Sequence, residues 1–185
     1  MVARGQFAVG KPEESAAPAA TFDLIFDNTA GGAGVSASAF FALPNIIGAA
    51  SFEASASGAR VLVLSEGVAP IHKDGGMAIV VDGADSWAWS SAGSGGVADL
   101  FSAFGSGGLS NTSQANATAG AVEATAHVPK GEVVVVTIVL SWYFPHHIWD
   151  GEFATDLGNY YSNLFPSAEA VAISVAANKT RSLQS

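Results

Sequence analysis

From Val133 to Leu140 the chain reads Val-Val-Val-Val-Thr-Ile-Val-Leu, an uncharged run with one hydroxyl, at Thr137. β-Branched side chains at this density favour extended backbone over helix. The run falls far short of the ~18 apolar residues needed to read as a membrane-spanning helix. It is apolar at both odd and even positions, whereas a strand with one wet face alternates. A strand of this kind belongs inside a sheet that is covered on both sides. The fold must therefore supply a layer on each face of whatever sheet holds residues 133–142.

Composition narrows the remaining choices. Seven basic side chains stand against sixteen acidic ones, giving a net charge of −9, and no basic face is available for nucleic acid. With no cysteine, disulfide scaffolds and Cys-based zinc sites are excluded. The hydrophobic fraction of 49% is too high for intrinsic disorder, although alanine supplies much of it. Charged residues are 12%, against the ~25% of an ordinary soluble domain. At 185 residues one domain is the default. The segment after Arg4 lacks the apolar core of a secretory signal. A soluble, acidic, cytoplasmic domain without a transmembrane segment is expected, with peripheral membrane association left open.

Residues 1–20 show no periodicity and read as a loose or partly paired lead-in. Phe22, Leu24 and Phe26 then alternate with Asp23, Ile25 and Asp27, as in a strand with one face more buried. After the Gly31–Gly34 turn, Val35–Leu43 is a second strand candidate that stops at Pro44. Val61–Leu64 and Met77–Val81 are short apolar runs, and Gly67, Pro70 and Asp74-Gly75-Gly76 between them signal a loop. Trp87 and Trp89 share one face of a strand. Leu100, Phe101 and Phe104 line one side of a short helix over 99–104, and a Gly/Ser/Asn/Thr loop follows to Gly120. Val122, Ala124, Ala126 and Val128 alternate with polar residues, and Pro129-Lys130-Gly131-Glu132 joins them to the 133–142 run. This pattern predicts a β-hairpin. Ser167 is an N-cap for a helix over 168–183, with Val171, Val175 and Lys179 at helical spacing. Many short strands before one terminal helix predict an all-β antiparallel sandwich over residues 21–166, with 167–185 as an exit helix or linker.

Catalytic constellations are sparse. His146 and His147 adjoin Asp150 and Glu152, but neighbouring side chains of an extended segment point to opposite sides and do not converge on one metal. His72 and His127 are isolated. Asp150, Glu152 and Asp156, flanked by Trp149, Phe153 and Tyr160, contain the carboxylate pair a small glycosidase would need. No nucleophile elbow and no phosphate-cradling loop occurs. Three glycosylation sequons, at Asn111, Asn116 and Asn178, fit chance in a Ser/Thr-rich chain. No metal and no cofactor is expected. The aromatic end of the central strand stands apart, since Trp142, Tyr143 and Phe144 precede Pro145, and Asn159, Tyr160 and Tyr161 follow some way on. Such residues form either a packed sheet edge or a contact surface for sugar or another domain. Trp87, Trp89, Trp142 and Tyr143 would be the stacking platforms of a free-standing carbohydrate-binding sandwich.

The order of these blocks carries a resemblance. Leu140-Ser-Trp-Tyr-Phe-Pro145, Gly158-Asn-Tyr-Tyr-Ser-Asn-Leu-Phe165 and Ser167-Ala-Glu-Ala-Val-Ala172 together resemble the N-terminal domain of glycoside hydrolase family 116. That is the family of the non-lysosomal glucosylceramidase (bile-acid β-glucosidase) and its microbial β-glucosidase relatives. Asp27-Asn28-Thr29, Val35–Phe41, Leu43–Gly48, Gly76-Met77-Ala78, Asp99–Phe104 with Gly107-Gly108-Leu109, and Val128–Glu132 are collinear with it. The resemblance implies a β-sandwich followed by a catalytic (α/α)₆ barrel, which works by a retaining mechanism with a carboxylate nucleophile and an acid/base. No residue of this chain matches a catalytic motif of that family. The expected partner is such a barrel, in cis or as a separate chain, and a glucoside or glucosylceramide would be met only through it. Trp142, Tyr143, Phe144, Asn159, Tyr160 and Tyr161 are the candidate ligand-binding or interdomain residues. At 185 residues the chain is expected to be an inactive part of a larger enzyme.

Overall fold

The computed structural model describes residues 1–5, 15–48, 51–65, 75–149 and 155–182. Eleven strands and two α-helices are described. β1 (Val2–Gly5), β2 (Ala19–Asp27), β4 (Ser51–Ala54), β5 (Val61–Ser65), β6 (Gly76–Asp82) and β9 (Val133–Tyr143) form a six-stranded antiparallel sheet ordered β1-β2-β9-β6-β5-β4. β3 (Val35–Pro44), β7 (Ser86–Ala92) and β8 (Ala119–Val128) form a second sheet ordered β3-β8-β7. Helix α1 (Gly96–Ser106) covers the outside of the small sheet, and helix α2 (Ala168–Ser182) covers the outside of the large one. β10 (Ile148–Trp149) and β11 (Thr155–Asp156) pair as a separate two-residue ladder. The molecule is an antiparallel β-sandwich with a helix on each outer face.

The β9 run dictates this layering. Val136, Ile138, Leu140 and Trp142 face the inter-sheet core, with Phe52, Leu62, Leu64, Ile79 and Val81 from the same sheet. Val122, Ala124, Ala126, Trp87, Trp89, Phe41 and Leu43 meet them from the small sheet. On the opposite face Val139 and Tyr143 pack under α2 with Val61, Ala78, Val80, Val171, Ala172 and Val175. The second covering is partial. α2 shields the later half of β9, while Val133 and Val135 at its start are exposed on that face. Ser167 Oγ accepts the Ala170 N–H at 3.1 Å, as the cap motif predicts, and Ser141 Oγ donates to the Ala168 carbonyl at 2.7 Å beneath the first turn. The Lys179 side chain lies outside the described residues, as do the loop residues Gly67, Pro70, His72 and Asp74.

The predicted hairpin is overturned. β8 and β9 flank the Pro129–Glu132 turn but are not paired, since β8 bonds to β3 and β7, and β9 to β2 and β6. The turn carries the chain across the core from one sheet to the other. Turn residues specify a reversal of direction, but not whether the two arms lie side by side or face to face. Burial decides, because the apolar faces of β8 and β9 both belong to the same core. Asn28 holds this arch. Its side-chain amide donates to the carbonyls of Ala33 (2.8 Å), Val128 (3.1 Å) and Pro129 (3.1 Å). Its backbone N–H donates to Glu132, and its carbonyl accepts from Gly31 and Gly131. A Cβ on Gly31 would sit 1.7 Å from the Asn28 side-chain oxygen, so the close approach requires glycine there.

Among the described residues one buried carboxylate interrupts the apolar packing. Asp23 pairs with Arg4 at 3.0 Å and accepts from Thr137 Oγ1 at 2.8 Å, tying β1 to the middle of the sheet. Val2–Gly5 are thus a paired edge strand, in register with Ala20–Asp23.

Candidate functional site

β9 ends at Tyr143, so the backbone groups of Phe144 have no strand partner, and a side chain replaces one. Tyr161 Oη donates to the Phe144 carbonyl at 2.8 Å and accepts the Phe144 N–H at 3.2 Å. Asn159 Nδ2 donates to the same carbonyl at 2.7 Å, and the Asn159 N–H donates to Pro145 at 3.0 Å. The rings of Tyr143 and Tyr161 are 5.9 Å apart between centroids. A 3₁₀ turn over Tyr160–Asn163 presents Tyr161 at this position, closed by the Leu164 and Phe165 N–H groups on its carbonyl. The two sequence blocks that define the resemblance meet here as one clasp.

The six candidate residues take different places in it. Trp142 packs into the inter-sheet core and Tyr143 into the layer under α2. Phe144 is partly buried and supplies the backbone that is gripped, while Asn159 and Tyr161 do the gripping. Tyr160 points outward, 59% exposed. Trp149 is 61% and Leu157 62% exposed, with Leu164 also accessible. Leu157 and Leu164 were not candidates from sequence. Their spacing around Tyr160 in an irregular segment gives no periodic signal.

Asp156 ties together the described residues that flank β10 and β11. Its Oδ2 lies 2.5 Å from His146 Nδ1, and its Oδ1 accepts the N–H groups of His147 (3.1 Å) and Gly158 (2.9 Å). These bonds, the His146 contact first and the Gly158 amide next, hold its carboxyl below the ordinary aspartate value. Asp156 therefore stays charged and serves as a hydrogen-bond hub. Asp150 and Glu152, the other members of the acidic group, lie outside the described residues, as does Phe153. No group of three His, Cys, Asp or Glu able to hold a metal occurs among the described residues.

Trp87 and Trp89 do share one face of a strand, and that face is turned inward against the main core. Of the four rings considered as a stacking platform, none projects freely outward. An open groove of about 310 Å³ beside α2, lined by Gly58, Arg60, Val81, Asp82, Ile173 and Ala176 among others, shares no residue with the clasp. Among the described residues no helix is long and apolar enough to cross a membrane.

A family model described as beta-glucosidase 2, glycosyl-hydrolase family 116 N-term, matches residues 6–184. A comparison with curated proteins finds no match.

Proposed function

The chain belongs to glycosyl-hydrolase family 116 as an N-terminal domain, and from that premise we propose that it is a non-catalytic domain that docks on the family's catalytic barrel. The contact runs through residues 145–149 and 155–165 and shapes the entrance to the barrel's active site. One observation carries this reading. Trp149, Leu157, Tyr160 and Leu164 are accessible apolar side chains on the described stretches 145–149 and 155–165, where the Tyr161–Asn159 clasp and the Asp156 hub hold the backbone at Phe144, His147 and Gly158. Exposed apolar side chains on a pre-organised backbone suit a protein contact, because little ordering entropy is lost on binding. A β-glucoside, of which glucosylceramide is one kind, would be turned over by the barrel alone.

The inward packing of Trp87, Trp89 and Trp142 supports docking over the carbohydrate-binding alternative. The test is reconstitution with a separately expressed catalytic domain of the family. The two pieces should form a complex, and Trp149→Ser with Tyr160→Ser should weaken it by about tenfold or more. The KM of the reconstituted activity on an aryl β-glucoside should rise in that variant with kcat less affected. Absence of binding by the unmodified chain would overturn the docking role. Turnover of the glucoside by the purified chain alone would overturn the non-catalytic one.

A further inference from the structure

Residues 145–149 and 155–159 form two antiparallel arms beyond the end of β9. Their backbones meet at Pro145–Asn159 (3.0 Å) and His147–Leu157 (2.8 Å) and in the Ile148↔Asp156 and Trp149↔Thr155 pairs. None of these residues is buried, and none belongs to the inter-sheet core or to the layers under the helices. Order in such an element rests on its hydrogen bonds, because little apolar burial supports it.

Two bonds of Asp156 cross from one arm to the other, to His146 Nδ1 at 2.5 Å and to the His147 N–H at 3.1 Å. The first of these depends on charge. No lysine or arginine occurs in residues 144–165, so the two histidines are the source of positive charge there. Asp156 of β11 is the charged group that His146 meets, and His147 stands next to it on its own arm. Neither β9 nor the 3₁₀ turn over Tyr160–Asn163 carries a charged side chain. Asp150 and Glu152 lie outside the described residues. An imidazolium gives the Asp156 carboxylate a charge-assisted hydrogen bond, whereas neutral imidazole offers an ordinary one from a single tautomer. Histidine is the side chain that changes charge between about pH 5 and 8.

We propose that His146 is a proton-operated fastener of the two arms. Its imidazolium closes them through Asp156, and they loosen as the imidazole gives up its proton. Trp149 and Leu157, one on each arm, then lose their fixed presentation. The stabilising contact is present while His146 is charged and Asp156 ionised, and fades as pH rises through the His146 titration. His146 and Asp156 are 27% and 34% exposed, so the effect has the size of a surface pair, about two- to fivefold in the opening equilibrium. The device belongs to the arms themselves and holds whether or not a barrel docks on them.

The test is amide hydrogen exchange on the unmodified chain from about pH 5 to about pH 8, corrected for intrinsic rates, with the His146 ring protons followed in the same samples. Protection of the His147, Leu157, Gly158 and Asn159 amides should fall by about two- to fivefold, with the midpoint of the His146 ring titration. Core amides of β9 should not follow it. His146→Asn keeps an N–H donor at the δ position without a titratable group, and should make protection flat across the range. His147→Asn should leave the fall in place. Flat protection in the unmodified chain, a midpoint away from that of His146, or a fall shared by β9 would each overturn the proposal. So would a fall that survives His146→Asn or vanishes in His147→Asn. The measurements on the unmodified chain decide even where a variant fails to fold.

Discussion

Tyr161 and Asp156 show how single side chains finish what the sheet leaves undone. Tyr161 Oη satisfies both backbone groups of Phe144, just beyond the last ladder residue. Asp156 does the same for the amides of His147, just before β10, and Gly158, just after β11. Neither role was legible in the sequence, because the partners are backbone groups and any residue type can supply those. The Asp156 role carries a pH prediction. Its pKa is lowered on folding, so its contribution is present above the unfolded value and is lost as pH falls through the lower, folded value. The amide resonances of His147 and Gly158 should report a common transition with a midpoint below 3.8, the ordinary carboxyl value. Asp156→Asn should abolish that transition. A midpoint above the ordinary value in the unmodified chain would contradict the assignment.

At the scale of elements, strand β9 and helix α2 were legible because their signals are local. A β-branched run apolar on both faces, and a Ser cap before an Ala/Val stripe, specify conformation without reference to the rest of the chain. The relation between β8 and β9 was not legible. The turn motif fits an arch as well as a hairpin, and only the shared core separates them. The arch makes Asn28 a structural residue of the whole sandwich. Asn28→Ala removes three side-chain hydrogen bonds, and is expected to cost about 2 kcal/mol and to lower Tm by roughly 4–8 °C. Thermal melting against the unmodified chain checks this. The neighbouring Thr29→Ala, which loses one contact with exposed Asp27, should fall well short of it.

For the molecule as a whole, the two layers on either side of β9 explain where the aromatic residues go. Trp87, Trp89 and Trp142 are drawn against the inter-sheet core, and Trp149 alone of the four indoles stays largely in solvent. Iodide should therefore quench one accessible tryptophan component, and Trp149→Phe should remove it. If several indoles were quenched with equal ease, the core packing described here would be wrong. The family match covers nearly the full chain, and the sandwich is the architecture that the resemblance implies.

The sequence by itself determined the class of fold and the family, because strand pattern, helix cap and collinear motifs are properties of short segments. It also marked the two aromatic blocks that meet in the clasp. Tertiary structure alone decided that β8 faces β9 across the core, that Trp87 and Trp89 point inward, and that Tyr160 with Trp149 and Leu157 points out. Each of those outcomes turns on which face is buried against a segment distant in the chain. Burial is a sum over such partners, and local residue order does not contain it.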